Sequence, residues 1–249
     1  MRMLPICRYF FSIVLALTAC CAFSQETDVP PPKEEEPTVR EKEKDPADTL
    51  KNKYLPTGIR LGTDVVSIIK SRSTDNFNGW EVNADVDFYR YYLTVDYGSW
   101  SRTEILENGD YKNNGTYFRA GVDVNFLLKD PDRNMFFLGF RYGHSAFNEN
   151  LNVNHNAPGF GTVSETISSS GLQGHWGELT TGLRVKIWTG FWMGYTGRMK
   201  FAPGVKGGGA LEPYDMPGYG LVAKAPYWGF NYQLFWRIPF RKLEGVPKK

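Results

Sequence analysis

Three histidines, His144, His155 and His175, are the side chains best suited to proton transfer near neutral pH in this chain. A hydrolase working on lipid at a bilayer rim needs a serine, a histidine to take its proton and an acid to orient the imidazole. His144 and Ser145 adjoin, with Glu149 and Glu178 as candidate acids. Neighbouring residues of a strand point to opposite faces, so in an extended segment this pair does not meet as nucleophile and base. His155 and His175 show no metal-ligand spacing. No catalytic, cofactor-binding or metal residue is therefore assigned. Gly204-Val205-Lys206-Gly207-Gly208-Gly209 lacks the spacing of a phosphate loop and no helix follows it; it reads as part of a flexible loop. Cys7, Cys20 and Cys21 all precede Gln25, so a chain cut there carries no thiol.

The larger chemical signal is a set of charges at alternate positions. Arg60, Asp64, Glu81, Asp85, Asp87, Asp96, Arg119, Asp123, Arg141, Glu178, Arg184, Lys186, Arg198, Lys200 and Arg237 share one face of the segments that carry them, seven acids against eight bases. Small residues such as Gly98, Gly121, Gly139 and Gly182 occupy the same face. Buried charges are costly unless paired and hydrogen-bonded, so near balance predicts an internal plug of ion pairs. A proton or ion conduit is the rival reading, and it needs a gap that such filling closes.

The elements that must position these charges are strands. Trp80, Val82, Ala84, Val86 and Phe88 interleave with Glu81, Asn83, Asp85 and Asp87; Leu179, Thr181, Leu183, Val185 and Ile187 interleave with Glu178, Thr180, Gly182, Arg184 and Lys186. Period two marks a strand with unlike faces. Eight such segments are expected, at 58–69, 79–88, 91–100, 115–127, 135–146, 176–187, 191–201 and 227–240. Most match the ~9–11 residues that cross a bilayer at a tilt. The intervening connections alternate long and short, as in barrels with long outer loops and short periplasmic turns. Large aromatics, among them Trp80, Phe118, Phe126, Phe136, Trp228 and Trp236, sit near strand ends on the apolar face, where interfacial girdles belong. A soluble lipocalin-like barrel, apolar inside, and a β-sandwich are the competing all-β layouts. The expected fold is all-β, an eight-stranded antiparallel up-and-down transmembrane β-barrel over residues 54–241, with a basic tail at 242–249.

The N-terminal quarter is of other material. Residues 1–24 have the basic start, short apolar stretch and small residues of a secretory signal. Ala22-Phe23-Ser24 suits cleavage before Gln25, and Leu17-Thr18-Ala19-Cys20 also resembles a lipobox. Residues 25–53, rich in proline, glutamate and lysine, lack the apolar surface to order themselves and read as a disordered periplasmic linker. Across the whole 249 residues, 29 bases against 27 acids give a net charge of +2, which offers no footprint for nucleic acid. A mean hydropathy of −0.40 excludes a helical multispan membrane protein.

Tyr54-Leu55-Pro56-Thr57-Gly58-Ile59-Arg60-Leu61-Gly62-Thr63-Asp64, Tyr91 to Gly98, Phe191-Trp192-Met193-Gly194-Tyr195 and the closing Trp228 to Phe240 resemble a family of outer-membrane barrels of unknown function from Gram-negative bacteria. The resemblance implies an outer-membrane barrel and brings no catalytic residues. The expected partners are outer-membrane lipid, the barrel-assembly machinery and an external ligand or protein reached through loops 147–175 and 202–226. The expected role is non-enzymatic, anchoring or interactive, with an envelope-lipid hydrolase and a small pore as alternatives.

Overall fold

A computed structural model describes residues 54–130, 132–159, 161–207, 209 and 211–240. The signal segment, the linker and the basic tail lie outside the described residues. Strands β1 (Gly58–Asp64), β2 (Phe77–Phe88), β3 (Tyr91–Leu106), β4 (Gly109–Asn125), β5 (Met135–Ala157), β6 (Gly161–Trp188) and β7 (Phe191–Lys206) follow in order. The two-residue strands β8 (Asp215–Met216) and β9 (Gly220–Leu221) precede the closing strand β10 (Tyr227–Pro239). β1 to β7 and β10 form a closed antiparallel barrel in the order β1-β10-β7-β6-β5-β4-β3-β2. Closure comes from β1 against β10, in register from Gly58↔Pro239 to Asp64↔Gln233.

The expected eight-stranded barrel is thus present, and its faces are as the alternation implied. Along β2 and β3 the buried residues are the polar ones, Glu81, Asn83, Asp85, Thr94 and Asp96, while Val82, Leu93 and Val95 are exposed. Glycines on the inner face make room for large neighbours: a Cβ at Gly139 would stand 2.0 Å from an Asp123 carboxylate oxygen, and one at Gly143 2.2 Å from the Trp176 ring.

Three expectations need correction. β1 does not run to 69. It ends at Asp64, and Val65–Ser73 form helix α1. The Asp64 carboxylate accepts from Val66 N (3.3 Å) and Ser67 N (3.2 Å), an N-cap that satisfies two orphan donors. Lys70 and Arg72 then sit in the last turn, favourable to the helix dipole. The β-branched run Val65-Val66-Ser67-Ile68-Ile69 suggested strand because its local preference points that way; the cap overrides it.

Second, the stretch 147–175 is no loop. β5 and β6 continue as a paired hairpin from Phe147↔Leu172 through a bulge to Ala157↔Gly161. β3 and β4 extend beside it to Leu106↔Gly109, and β4 pairs with β5 up to Gly109↔Val153. At ~3.3 Å per residue, the 28 residues of β6 far exceed what a ~30 Å hydrocarbon layer requires. A four-stranded sheet therefore rises beyond the closed wall.

Third, the segment 202–226 is not an outward-facing flexible loop throughout. Asp215, Met216, Pro217, Gly218, Tyr219 and Gly220 are all buried. Met216 and Tyr219 join Tyr117, Phe147, Leu172 and Trp176 in an apolar cluster across the outer mouth. This part of the chain is a lid, folded inward. A second apolar cluster, Tyr92, Met135 and Phe137, lies at the other end of the lumen.

Candidate functional site

The strands aim ten charges into one connected group at mid-height. Arg60 Nε lies 2.7 Å from Asp85, whose other oxygen takes Arg184 at 2.7 Å. Arg184 also meets Asp123 at 3.3 Å, and Asp123 meets Arg141 at 2.9 Å. Arg141 reaches Asp96 at 2.5 Å. Asp96 is shared with Arg119 (3.2 Å) and Arg198 (3.3 Å). Arg119 pairs with Glu81 and, at 3.7 Å, with Glu178. Arg198 holds Glu178 at 2.9 Å. Five guanidiniums and five carboxylates balance, and no side chain among them is more than 4% exposed.

Neutral donors complete the shell. Tyr117 donates to Glu81 at 2.7 Å, Trp176 Nε1 to Glu178 at 2.7 Å, and Asn83 to Glu81 (2.9 Å) and Asp96 (2.8 Å). Arg198 Nε donates to Asn231 at 2.6 Å. Each carboxylate thus meets both charge and hydrogen bonds, the condition under which burying an ion pair is tolerated. Arginine suits these positions because its planar fork can serve two carboxylates at once. Arg141 Nε and Arg184 Nε remain without a partner among the described residues. Ion pairs thus occupy the barrel's middle.

The remaining charges expected in the lumen lie elsewhere. Asp87, near the turn end of the barrel, accepts from Thr57 N (2.7 Å), Gly58 N (2.9 Å) and Arg237 (2.8 Å). It ties the start of β1 to the end of β10. Asp64 is buried, yet it makes no ion pair among the described residues; it caps α1 and accepts from Asn231 (2.9 Å) and Tyr232 N (3.1 Å). Lys186 faces Asp132 at 2.8 Å on the exposed rim, so it is no part of the interior. Its position at the end of β6 carries it past the wall. Lys200 is buried but donates to the carbonyls of Gly218 (2.7 Å) and Tyr219 (2.9 Å), fastening the lid to β7.

Sequence reasoning missed a second polar group, above the network. Tyr111 donates to Glu149, and Glu149 also accepts from Tyr214 N at 3.2 Å. Asn113 donates to Asp215 O (2.6 Å) and Oδ2 (3.1 Å), and Arg102 approaches Asp215 at 3.6 Å. Burial raises the Asp215 carboxyl above its ordinary range, with Arg102 and the Asn113 hydrogen bond opposing. Arg133 was also missed; it donates to Thr57 Oγ1 at 2.8 Å, and burial, then Arg237, lowers it from the usual arginine range. The one available signal for the upper group was strand parity, since Tyr111 and Asn113 continue the inward positions of Tyr117 and Arg119.

The histidine region adopts the opposed geometry. His144 stacks outside on Phe118, ring centroids 5.4 Å apart, and pairs in register with His175. Ser145 is fully buried and donates inward to Thr116 O at 3.3 Å.

The crystal structure of Acinetobacter baumannii CarO aligns with this fold at a TM-score of 0.35 and 10% identity, covering 76% of this chain and 100% of that one. No curated protein matches the sequence. A family described as a domain of unknown function, DUF6048, matches residues 6–243. The chain is a member of the DUF6048 family.

Proposed function

We propose that this barrel spans the outer membrane of a Gram-negative bacterium and serves without catalysis, anchoring the projecting sheet and the lid at the outer surface. The observation that carries this is the exterior. Leu61, Val82, Leu93, Val122, Leu138 and Leu183 are each between 42% and 50% exposed, around a lumen of buried ions. Soluble monomers rarely expose an apolar patch beyond a few hundred Å², whereas hydrocarbon would cover such a belt. Aromatics bound it: Trp80, Tyr97, Phe118 and Trp228 on the lid side, Tyr91, Phe126, Phe136 and Trp236 on the turn side. The span Phe118–Phe126 on β4 fits the ~9–11 residues of a tilted crossing. On this reading the β5–β6 tip lies outside and the turns 89–90 and 189–190 in the periplasm, as long outer and short periplasmic connections suggest.

In this reading the partners are outer-membrane lipid, the barrel-assembly machinery and an external molecule met by 147–175 and 202–226. A signal cleaved before Gln25 would deliver the chain to the envelope. The test is vectorial. An epitope tag inserted at Gly161 should be labelled on intact cells, and one at Asp132 only after permeabilisation. Labelling of Asp132 with silence at Gly161 would overturn the orientation; a cell fraction holding the protein in soluble form would overturn the membrane reading.

A further inference from the structure

Above Asp64 the barrel wall has a notch. β1 pairs with β10 only as far as Asp64↔Gln233 and with β2 only as far as Thr63↔Val82. Yet β2 begins at Phe77 and β10 at Tyr227, so Phe77–Glu81 and Tyr227–Tyr232 have no strand between them. α1 occupies this place and is fastened unevenly. On the β2 side, Ser71 Oγ donates to Gly79 O (2.7 Å) and accepts from Gly79 N (2.6 Å). On the β10 side, the described hydrogen bonds are those the Asp64 cap accepts from Asn231 Nδ2 and Tyr232 N, and none links α1 to Tyr227–Phe230.

Behind α1 lies a cavity of about 200 Å³. Tyr227, Gly229 and Asn231 line it, and so do Trp228 and Phe230 from the opposite face of the same strand. Val66, Ser67 and Lys70 of α1 complete that side of the lining, so the cavity reaches the seam between α1 and β10.

Its charge is unlike that of the network below. Besides Arg119, which belongs to the network and pairs with Glu81, Lys70, Arg102 and Lys200 line it. Lys70 forms no ion pair among the described residues, and its ammonium rests 4.1 Å from the Phe77 ring centroid. Burial and then the nearby Arg102 guanidinium hold that ammonium below the ordinary lysine range. Lys200 donates to two carbonyls and lies 5.7 Å from the Tyr227 ring centroid, and Arg102 meets Glu104 and Asp215 at 3.5 and 3.6 Å. The lining carboxylates are committed, Asp64 to the helix cap and Glu81 to Arg119 and Tyr117. Trp100 Nε1, on the same lining, is buried without a partner. Three cations and an unused donor ask for an anionic acceptor.

We propose that this cavity is a lateral site for the phosphate head group of a membrane lipid, whose chains stay outside along Trp228 and Phe230. The inference rests on the membrane-spanning reading above. Size decides how much of the lipid enters: pockets for whole small molecules run ~300–1,000 Å³, so this one takes the head group and leaves the chains in the bilayer. Lysine and arginine donate charge-assisted hydrogen bonds to phosphate oxygens, and α1 is the element that must yield to admit them.

The experiment uses the mature full chain folded into phosphatidylcholine vesicles. Chain-spin-labelled phosphatidic acid is compared with identically labelled phosphatidylcholine, and inorganic phosphate is the competitor. The parent protein should immobilise phosphatidic acid preferentially, and inorganic phosphate at equal concentration should not displace it. Lys70→Gln and Arg102→Gln should each weaken that preference about tenfold, the scale of one charge-assisted bond. Both should retain the parent's heat-modifiable gel mobility, which reports the folded barrel. Lys112→Gln, at an exposed base outside the cavity, should leave the preference intact. No preference in the parent, an unchanged preference in both cavity variants, or an equal loss in Lys112→Gln would overturn the proposal. Displacement by inorganic phosphate would overturn the lipid as the source. A parent that fails to float with the vesicles overturns the membrane reading itself, a result distinct from insertion without preference.

Discussion

The middle of the lumen and its outer mouth both bury carboxylates, but they neutralise them differently. At mid-height Glu81, Asp85, Asp96, Asp123 and Glu178 each touch at least one guanidinium, and Asp96 touches three. At the mouth Glu149 is held by a phenol and a backbone N–H, and one oxygen of Glu149 and one of Asp215 have no partner among the described residues. A site surrounded on all sides by rigid strands can fix long side chains in pairs. Under the lid, neutral groups supply most of the contacts: Glu149 has no cation within ion-pair distance among the described residues, and Asp215 meets Arg102 only at 3.6 Å. The middle pairs its acids closely with cations; the mouth holds them mainly by uncharged donors.

The largest effect expected from breaking this contrast is Arg119→Leu. It removes the nearest cation from Glu81, leaving Arg198 at 3.8 Å, and weakens the holds on Asp96 and Glu178, which should cost about 3–5 kcal/mol. Replacing Glu81 by leucine as well should recover part of that loss. The cycle is read by reversible unfolding from vesicles, with Asp85 as the non-contacting control. An additive result for Glu81 would break the pairing.

Next in size is the wall outside the same two levels. Val122→Arg at mid-height should destabilise by about 2–4 kcal/mol, and Thr116→Arg, outward at the level of the mouth, by about 0–1 kcal/mol. Similar costs in the same unfolding assay would mean that no hydrocarbon boundary lies between them.

The smallest effect concerns the mouth. The Asp215 carboxyl is raised by burial, so the folded state binds its proton more tightly than the unfolded chain does. That contribution is complete below the ordinary aspartate pKa and is lost as pH rises through the elevated value. The lid should accordingly loosen with rising pH, seen as a falling protection factor, exchange corrected for its base-catalysed intrinsic rate, at Tyr219 N, which donates to Met216 O at 3.0 Å. Asp215→Asn should flatten that dependence, an effect of about 1 kcal/mol or less. A parent profile without slope would remove the difference between the two regions. His144→Ala, outward on Phe118, should alter neither region nor the envelope lipid profile; loss of an acyl-chain modification would restore the hydrolase alternative.

The sequence made the wall legible because an apolar exterior and an ionic interior impose two unlike faces, and period two follows. It hid the upper half of β5 and β6 for the same reason. Asn154, Ser164 and Thr166 stand where both faces meet water, so towards the tip no alternation survives to separate strand from loop. Membership of the charge set was readable from parity, as Arg60, Asp85, Arg119, Asp123 and Arg184 demonstrate. Partnership was not: Arg119 meets Glu81, Asp96 and Glu178 rather than Asp85 or Asp123, since register and shear set those distances. Asp64 shows the limit of parity, being inward yet spent on a helix cap. The lid was invisible because Met216 is buried only where Gly174 leaves space for its sulfur, and Gly218 passes Tyr117 and Trp176 too closely for a Cβ, contacts between segments far apart in sequence.

The most direct test of the sealed lumen is the reaction of single cysteines with a water-soluble maleimide in the protein folded into vesicles. Asn154→Cys, exposed on the projecting sheet, serves as the reference, and Thr180→Cys and Thr196→Cys place near-isosteric thiols at lumen positions that are 1% and 0% exposed. The account predicts rapid labelling at 154 and none at 180 or 196 until the barrel is unfolded. Labelling at 180 and 196 as fast as at 154 would mean a water-filled conduit, and the ion network would then line a pore rather than close one.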